Sequence, residues 1–186
     1  MKLSDIDFSS LRNMTSDDRW GAGTPRDRHV FCDHAYWYKT WGNEYLSKSG
    51  CVYGNRHKTL GGAKEPHGFE VGLFCEDIAS AFVSYIYDED ENVRGYVTRA
   101  GTMSEVIPTE FVDAVFNACV KSGWVFSDLG WKNVITVDGR PSLIDFDSHL
   151  ASLEHLDVEF EEASGALRPH VAPRFRTLLR SYIANR

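Results

Sequence analysis

Hydrophobic and polar positions along this chain change period several times, and each change predicts an element. After Pro108 and Thr109 the apolar residues fall at 111, 112, 115, 116, 119 and 120, one face of a helix that Gly123 closes. A stripe at 69, 73, 74 and 78 predicts a helix over 69–78. Phe175, Leu178, Leu179, Tyr182 and Ile183 predict a last helix starting near Pro173. Aromatic and β-branched stretches at 29–32, 35–41, 81–87 and 94–98 read as strands. The polar turn Asp88-Glu89-Asp90-Glu91-Asn92 joins the last two into a hairpin. Val134 to Val137 and Ser142 to Ile144 flank Asp138-Gly139, a strong two-residue hairpin signal. Residues 42–64 carry no clear period and read as loop. Strands with one helix therefore come first and mostly helices follow, which predicts an α+β protein with two lobes.

Composition narrows the class. The chain has 186 residues, 42% hydrophobic and 13% aromatic, enough for a packed core and too much for a disordered chain. No apolar run approaches the roughly 20 residues of a membrane span. The N-terminus turns acidic at once and lacks an apolar stretch, so no cleaved signal peptide is expected. A cytoplasmic or otherwise soluble monomer is the expectation, with export by another route left open. The net charge of −7 argues against nucleic acid as a partner and, more weakly, against an anionic membrane. Cys32, Cys51, Cys75 and Cys119 form no CxxC pair, so free thiols are expected before disulfides or a thiolate metal site.

The sharpest chemistry is Ser127-Asp128-Leu129-Gly130-Trp131-Lys132-Asn133, followed by Leu143-Ile144-Asp145-Phe146-Asp147. Asp and Asn are common in turns for local hydrogen-bonding reasons, so an ordinary hairpin flanked by polar turns is the plain alternative. The order and spacing argue for more: Asp128 to Asn133 is five positions and Asn133 to Asp145 is twelve. This constellation resembles the catalytic loop D-L-x-x-x-N and the metal-binding D-F-G of protein kinases. The resemblance covers roughly residues 20–150 and is strong at 126–147. It implies a bilobal protein-kinase-like fold: a small lobe over about 1–98 with an antiparallel sheet and one helix, a hinge at 99–102, and a reduced, mostly helical large lobe over 103–186. It implies ATP and Mg2+, with Mn2+ as a substitute, and gives Asp128 the role of base. Asn133 and Asp145 become the metal ligands.

The same resemblance assigns upstream parts. Lys39, 18 residues after Gly21, takes the place of the phosphate-contacting lysine, with Lys48, Lys58 and Lys64 as rivals. Glu70 is its expected partner, and Glu65 and Glu76 compete. Gly21-Ala22-Gly23-Thr24 would cover the phosphates through backbone N–H groups. Thr98 and Ala100 belong to the segment that would face the adenine.

Departures matter too. Ile-Asp-Phe-Asp, with Asp147 where glycine is usual, looks most like bacterial Kdo kinases and related sugar kinases. Phe126-Ser127 replaces the usual His-Arg, removing the anchor for a phosphorylated activation loop. Only 39 residues follow Asp147, too few for the helical platform that seats peptides, and Ala172-Pro173-Arg174 faintly resembles the A-P-E that closes an activation segment. The acidic stretch 154–162 reads as a solvated loop or as an attractor for a basic segment. The expectation is a pared-down kinase, with a serine/threonine protein kinase acting on a folded partner favoured. A small-molecule or sugar kinase is the alternative, and a pseudokinase that only binds partners is the second. Transfer of a nucleotide instead of phosphate also stays open.

Overall fold

The computed structural model describes residues 1–13, 28–41, 77–91, 93–103, 106–144 and 150–186. The chain is α+β, with antiparallel sheets and few helices. It divides into two compact units, Met1–Val52 with Ala81–Ala100, and Tyr53–Ser80 with Gly101–Arg186.

The first unit is a five-stranded antiparallel sheet: β1 (Arg12–Asn13), β2 (Arg28–Cys32), β3 (Tyr36–Trp41), β4 (Phe82–Tyr87) and β5 (Val93–Arg99), in the order β1-β2-β3-β5-β4. The predicted strands lie here within a residue or two of their expected ends. The β2–β3 turn is made by Asp33, whose Oδ1 accepts the N–H groups of Ala35 and Tyr36 at 2.7 and 2.6 Å. The β4–β5 turn is closed by Arg94, whose guanidinium grips the Asp88 carboxylate at 2.5–2.6 Å. Ile86, Tyr96 and Val97 are buried, and because Tyr96 and Val97 are neighbours on β5 their side chains lie on opposite faces of the sheet.

The second unit holds the long predicted helix, α1 (Thr109–Ser122). Its buried face is Phe111, Val112, Val115 and Cys119, and Gly123 ends it at φ 76 with its N–H on the Cys119 carbonyl. A left-handed φ is open to glycine without steric cost, so the helix stops where the sequence expects. Next come β7 (Trp124–Phe126), β8 (Val134–Val137) and β9 (Arg140–Leu143). Asp138 and Gly139 both take positive φ, 51 and 76, as a two-residue turn between twisted strands requires. A short β6 (Thr102–Met103) pairs with β8, and β10 (Leu150–Ser152) pairs antiparallel with β7. The last helix, α3 (Pro173–Ala184), buries Phe175 and Leu179, while Leu178, Tyr182 and Ile183 are only half-buried. It packs on α1 through Phe116, whose ring meets Phe175 and Tyr182 edge-on at 6.3 Å. Arg174 holds Asp113 of α1 with two hydrogen bonds of 2.5 and 2.7 Å.

One expectation changes, and a second lies largely outside the described residues. The acidic stretch is no loop: Val158–Ser164 forms a helix, α2, capped by Asp157 on the Phe160 N–H and ended by Gly165 at φ 109. Glu161 points inward and is fully buried, while Glu159 and Glu162 face solvent. Of the helix expected over 69–78, Asp77 and Ile78 lie in a turn, and 69–76 fall outside the described residues. Among the described residues no helix is long and apolar enough to cross a membrane. Cys32 and Cys119 are free thiols.

Candidate functional site

The loop after β7 is built on its own apolar anchor. Val125, Phe126 and Leu129 are fully buried, so the strand and the loop's second apolar residue are fixed in the core. Asp128, between Phe126 and Leu129, is left near the surface with 29% of its side chain exposed. The chain then doubles back. Gly130 N–H donates to the Asp128 carbonyl at 2.8 Å, and Asn133 N–H to the Gly130 carbonyl at 2.9 Å, closing a 3-10 turn over Trp131–Asn133.

This fold-back brings Asp128 and Asn133 together. Asn133 is buried, and its Nδ2 donates to the Asp128 carbonyl at 2.8 Å and to Asp128 Oδ2 at 2.9 Å. With its amide hydrogens committed to Asp128, the acceptor oxygen Oδ1 is the atom Asn133 can offer a cation. A neutral, hard oxygen on a buried, fixed side chain suits magnesium or manganese.

The following hairpin is tied to the same turn. Ile144 N–H donates to the Asn133 carbonyl at 2.8 Å, and Leu143 N–H to the Ile78 carbonyl at 2.7 Å. The residue immediately before Asp145 is thus hydrogen-bonded to Asn133. Asp145 itself lies outside the described residues, as do Asp147, Glu70, Glu65, Glu76 and Gly21-Ala22-Gly23-Thr24. Among the described residues no cluster of three or more His, Cys, Asp or Glu side chains is arranged for a metal.

One partner of Asp128 was not foreseen. His170 Nε2 stands 2.8 Å from Asp128 Oδ1, although 42 positions separate them. The stretch carrying His170 is held against the loop by backbone: Ala172 N–H donates to the Leu129 carbonyl at 2.8 Å. Gly130 permits this approach, because a Cβ there would meet the His170 carbonyl at 3.1 Å. The only sequence cue was indirect: His170 stands two residues before Ala172-Pro173-Arg174. At the lip of the loop Trp131 is 41% exposed, with Lys132 Nζ 5.8 Å from its ring centroid.

The remaining expected residues belong to the first unit. Lys39 is half-buried on β3, opposite Tyr96 in register, with Nζ 5.7 Å from the Tyr96 ring centroid. Such a cation sits favourably over an aromatic face. Thr98 is buried on β5, paired with Trp37 and Phe82. Ala100 donates its N–H to the Ala35 carbonyl at 2.7 Å, so that amide is already committed within the unit. No family model matches the chain, and no curated protein matches it.

Proposed function

We propose that this protein is an ATP- and Mg2+-dependent phosphotransferase of the protein-kinase-like fold, moving the γ-phosphate of ATP to a hydroxyl group. The observation that carries this reading is the closed turn in which Asn133 holds Asp128 while its carbonyl accepts the Ile144 N–H. That arrangement supports a base and a metal-ligating amide side by side, with Ile144, the residue before Asp145, tied to the same turn.

In the proposed step the acceptor oxygen attacks the γ-phosphorus, the bond from that phosphorus to the β–γ bridging oxygen breaks, and ADP leaves. Asp128 takes the hydroxyl proton as the new P–O bond forms. Asn133 and Asp145 would hold the magnesium, which when bound neutralises phosphate charge. Lys39 is assigned the role of a cation for the phosphates. Asp128 suits its role because Asn133 anchors one of its carboxylate oxygens beside the turn.

A folded protein with a serine or threonine acceptor is the favoured substrate. A macromolecular acceptor brings its own structure to the encounter and needs no enclosed pocket. Ile144-Asp145-Phe146-Asp147 favours the second reading, a sugar or small-molecule kinase.

The test is incubation of an extract with labelled ATP and Mg2+, comparing wild type with Asp128→Ala and Asp145→Asn. Label on proteins supports the protein kinase, and label on sugars or metabolites the second reading. Equal labelling by wild type and both variants, or none by any, removes the phosphotransferase. Lys39→Ala should weaken turnover while Lys58→Ala does not.

A further inference from the structure

We propose that His170 is a positioning residue for Asp128, gripping the carboxylate oxygen that Asn133 leaves; this rests on the phosphotransferase reading. An ionised carboxylate only accepts hydrogen bonds, so His170 must present Nε2–H to Asp128 Oδ1, leaving Nδ1 turned away from that bond. Asn133 Nδ2 donates to Oδ2 at 2.9 Å and His170 to Oδ1 at 2.8 Å. Two donors from separate parts of the chain thus fix both oxygens of one carboxylate, and with them the plane of the group.

Stability gives a poor account of the pair. His170 has 54% of its side chain exposed, and polar pairs so open to water contribute little to stability. Orientation gives a better one. A carboxylate held by a single donor rotates about its Cβ–Cγ bond, whereas transfer from a hydroxyl requires one oxygen at a fixed place. Each carboxylate oxygen has two acceptor sites, so holding an oxygen with one donor does not by itself bar a second hydrogen bond to it. The imidazole is itself placed by rigid backbone, through the Ala172–Leu129 hydrogen bond and the close approach at Gly130. Such a support acts on the chemical step and leaves ATP binding alone.

The experiment measures ADP release from ATP and Mg2+ by the full chain, with an extract protein fraction as acceptor. His170→Phe and His170→Ala remove the donor, and His170→Gln keeps an N–H of similar reach. The expected result is a kcat lowered about tenfold or more in the Phe and Ala variants, with KM for ATP little changed. The Gln variant should recover several-fold over Phe. In an Asp128→Asn background, losing His170 should cost nothing further, because both act through one carboxylate. Thermal midpoints close to wild type show that these variants fold, and if Ala does not fold, Phe against Gln decides. Wild-type kcat in the Phe variant, with Asp128→Asn strongly slowed, overturns the role of His170 and leaves the phosphotransferase standing. A loss that Gln does not relieve, or that adds to Asp128→Asn, also overturns it. No ADP release from wild type removes the phosphotransferase, and this inference with it.

Discussion

A β carbon at Gly95 would stand 2.1 Å from the carbonyl oxygen of Lys39. Thr40 and Gly95 are register partners, and β3 runs so close to β5 there that only a hydrogen fits. Gly95→Ala must therefore push β3 away, at a cost of about 1–3 kcal/mol for an overpacked site. Urea unfolding should show the lowered midpoint. If Lys39 has the phosphate role proposed above, ATP binding should weaken as well, because Lys39 rides on the displaced strand. An unchanged midpoint would mean that the strands are not this close in solution.

Asn133→Asp should be worse than Asn133→Ala at neutral pH. The aspartate would set a carboxylate where Nδ2 now donates to Asp128 Oδ2 at 2.9 Å, and two like charges so close cannot both be ionised comfortably. Losing the donor costs about 1–3 kcal/mol in either variant, with repulsion added for Asp. The difference between the variants should shrink as pH falls and the two carboxylates come to share a proton. A difference independent of pH would refute the contact.

Glu161 makes stability fall with rising pH. Burial, helped by nearby Asp157 and opposed by Arg186, pushes its carboxyl from 4.5 up to about 8. The folded state then keeps a proton that the unfolded chain releases between those values. The native state carries no such penalty below about pH 4.5 and loses ground as pH climbs to 8, by about 1.4 kcal/mol per pKa unit of difference. Glu161→Gln should match wild type near pH 4 and exceed it by a few kcal/mol at pH 8 in urea titrations. Parallel curves for the two proteins would contradict a buried acid.

Cys119 should resist alkylation. Burial on the inner face of α1 raises its thiol to about 12, so almost no thiolate exists at pH 8. Iodoacetamide at that pH should leave Cys119 unmodified in the native protein and label it in urea, as read by peptide mass spectrometry. Rapid labelling without urea would show that the helix face opens.

Local chemistry determined much of this protein. The period of Phe111 to Val120 and the glycine at 123 fixed α1, and Asp138-Gly139 fixed the β8–β9 hairpin, because period and turn conformation depend on near neighbours. The five-residue spacing of Asp128 and Asn133 likewise implied their meeting, since one tight turn spans it. The tertiary structure alone decided the rest. Nothing in the run Glu154–Glu162 marks Glu161 as the buried member, since the face α2 turns inward depends on what packs over it. Neither the bond from His170 to Asp128 nor the grip of Arg174 on Asp113, 61 positions apart, has a local pattern. Such pairs exist where two distant backbones pass one another, and a one-dimensional spacing carries no record of that crossing.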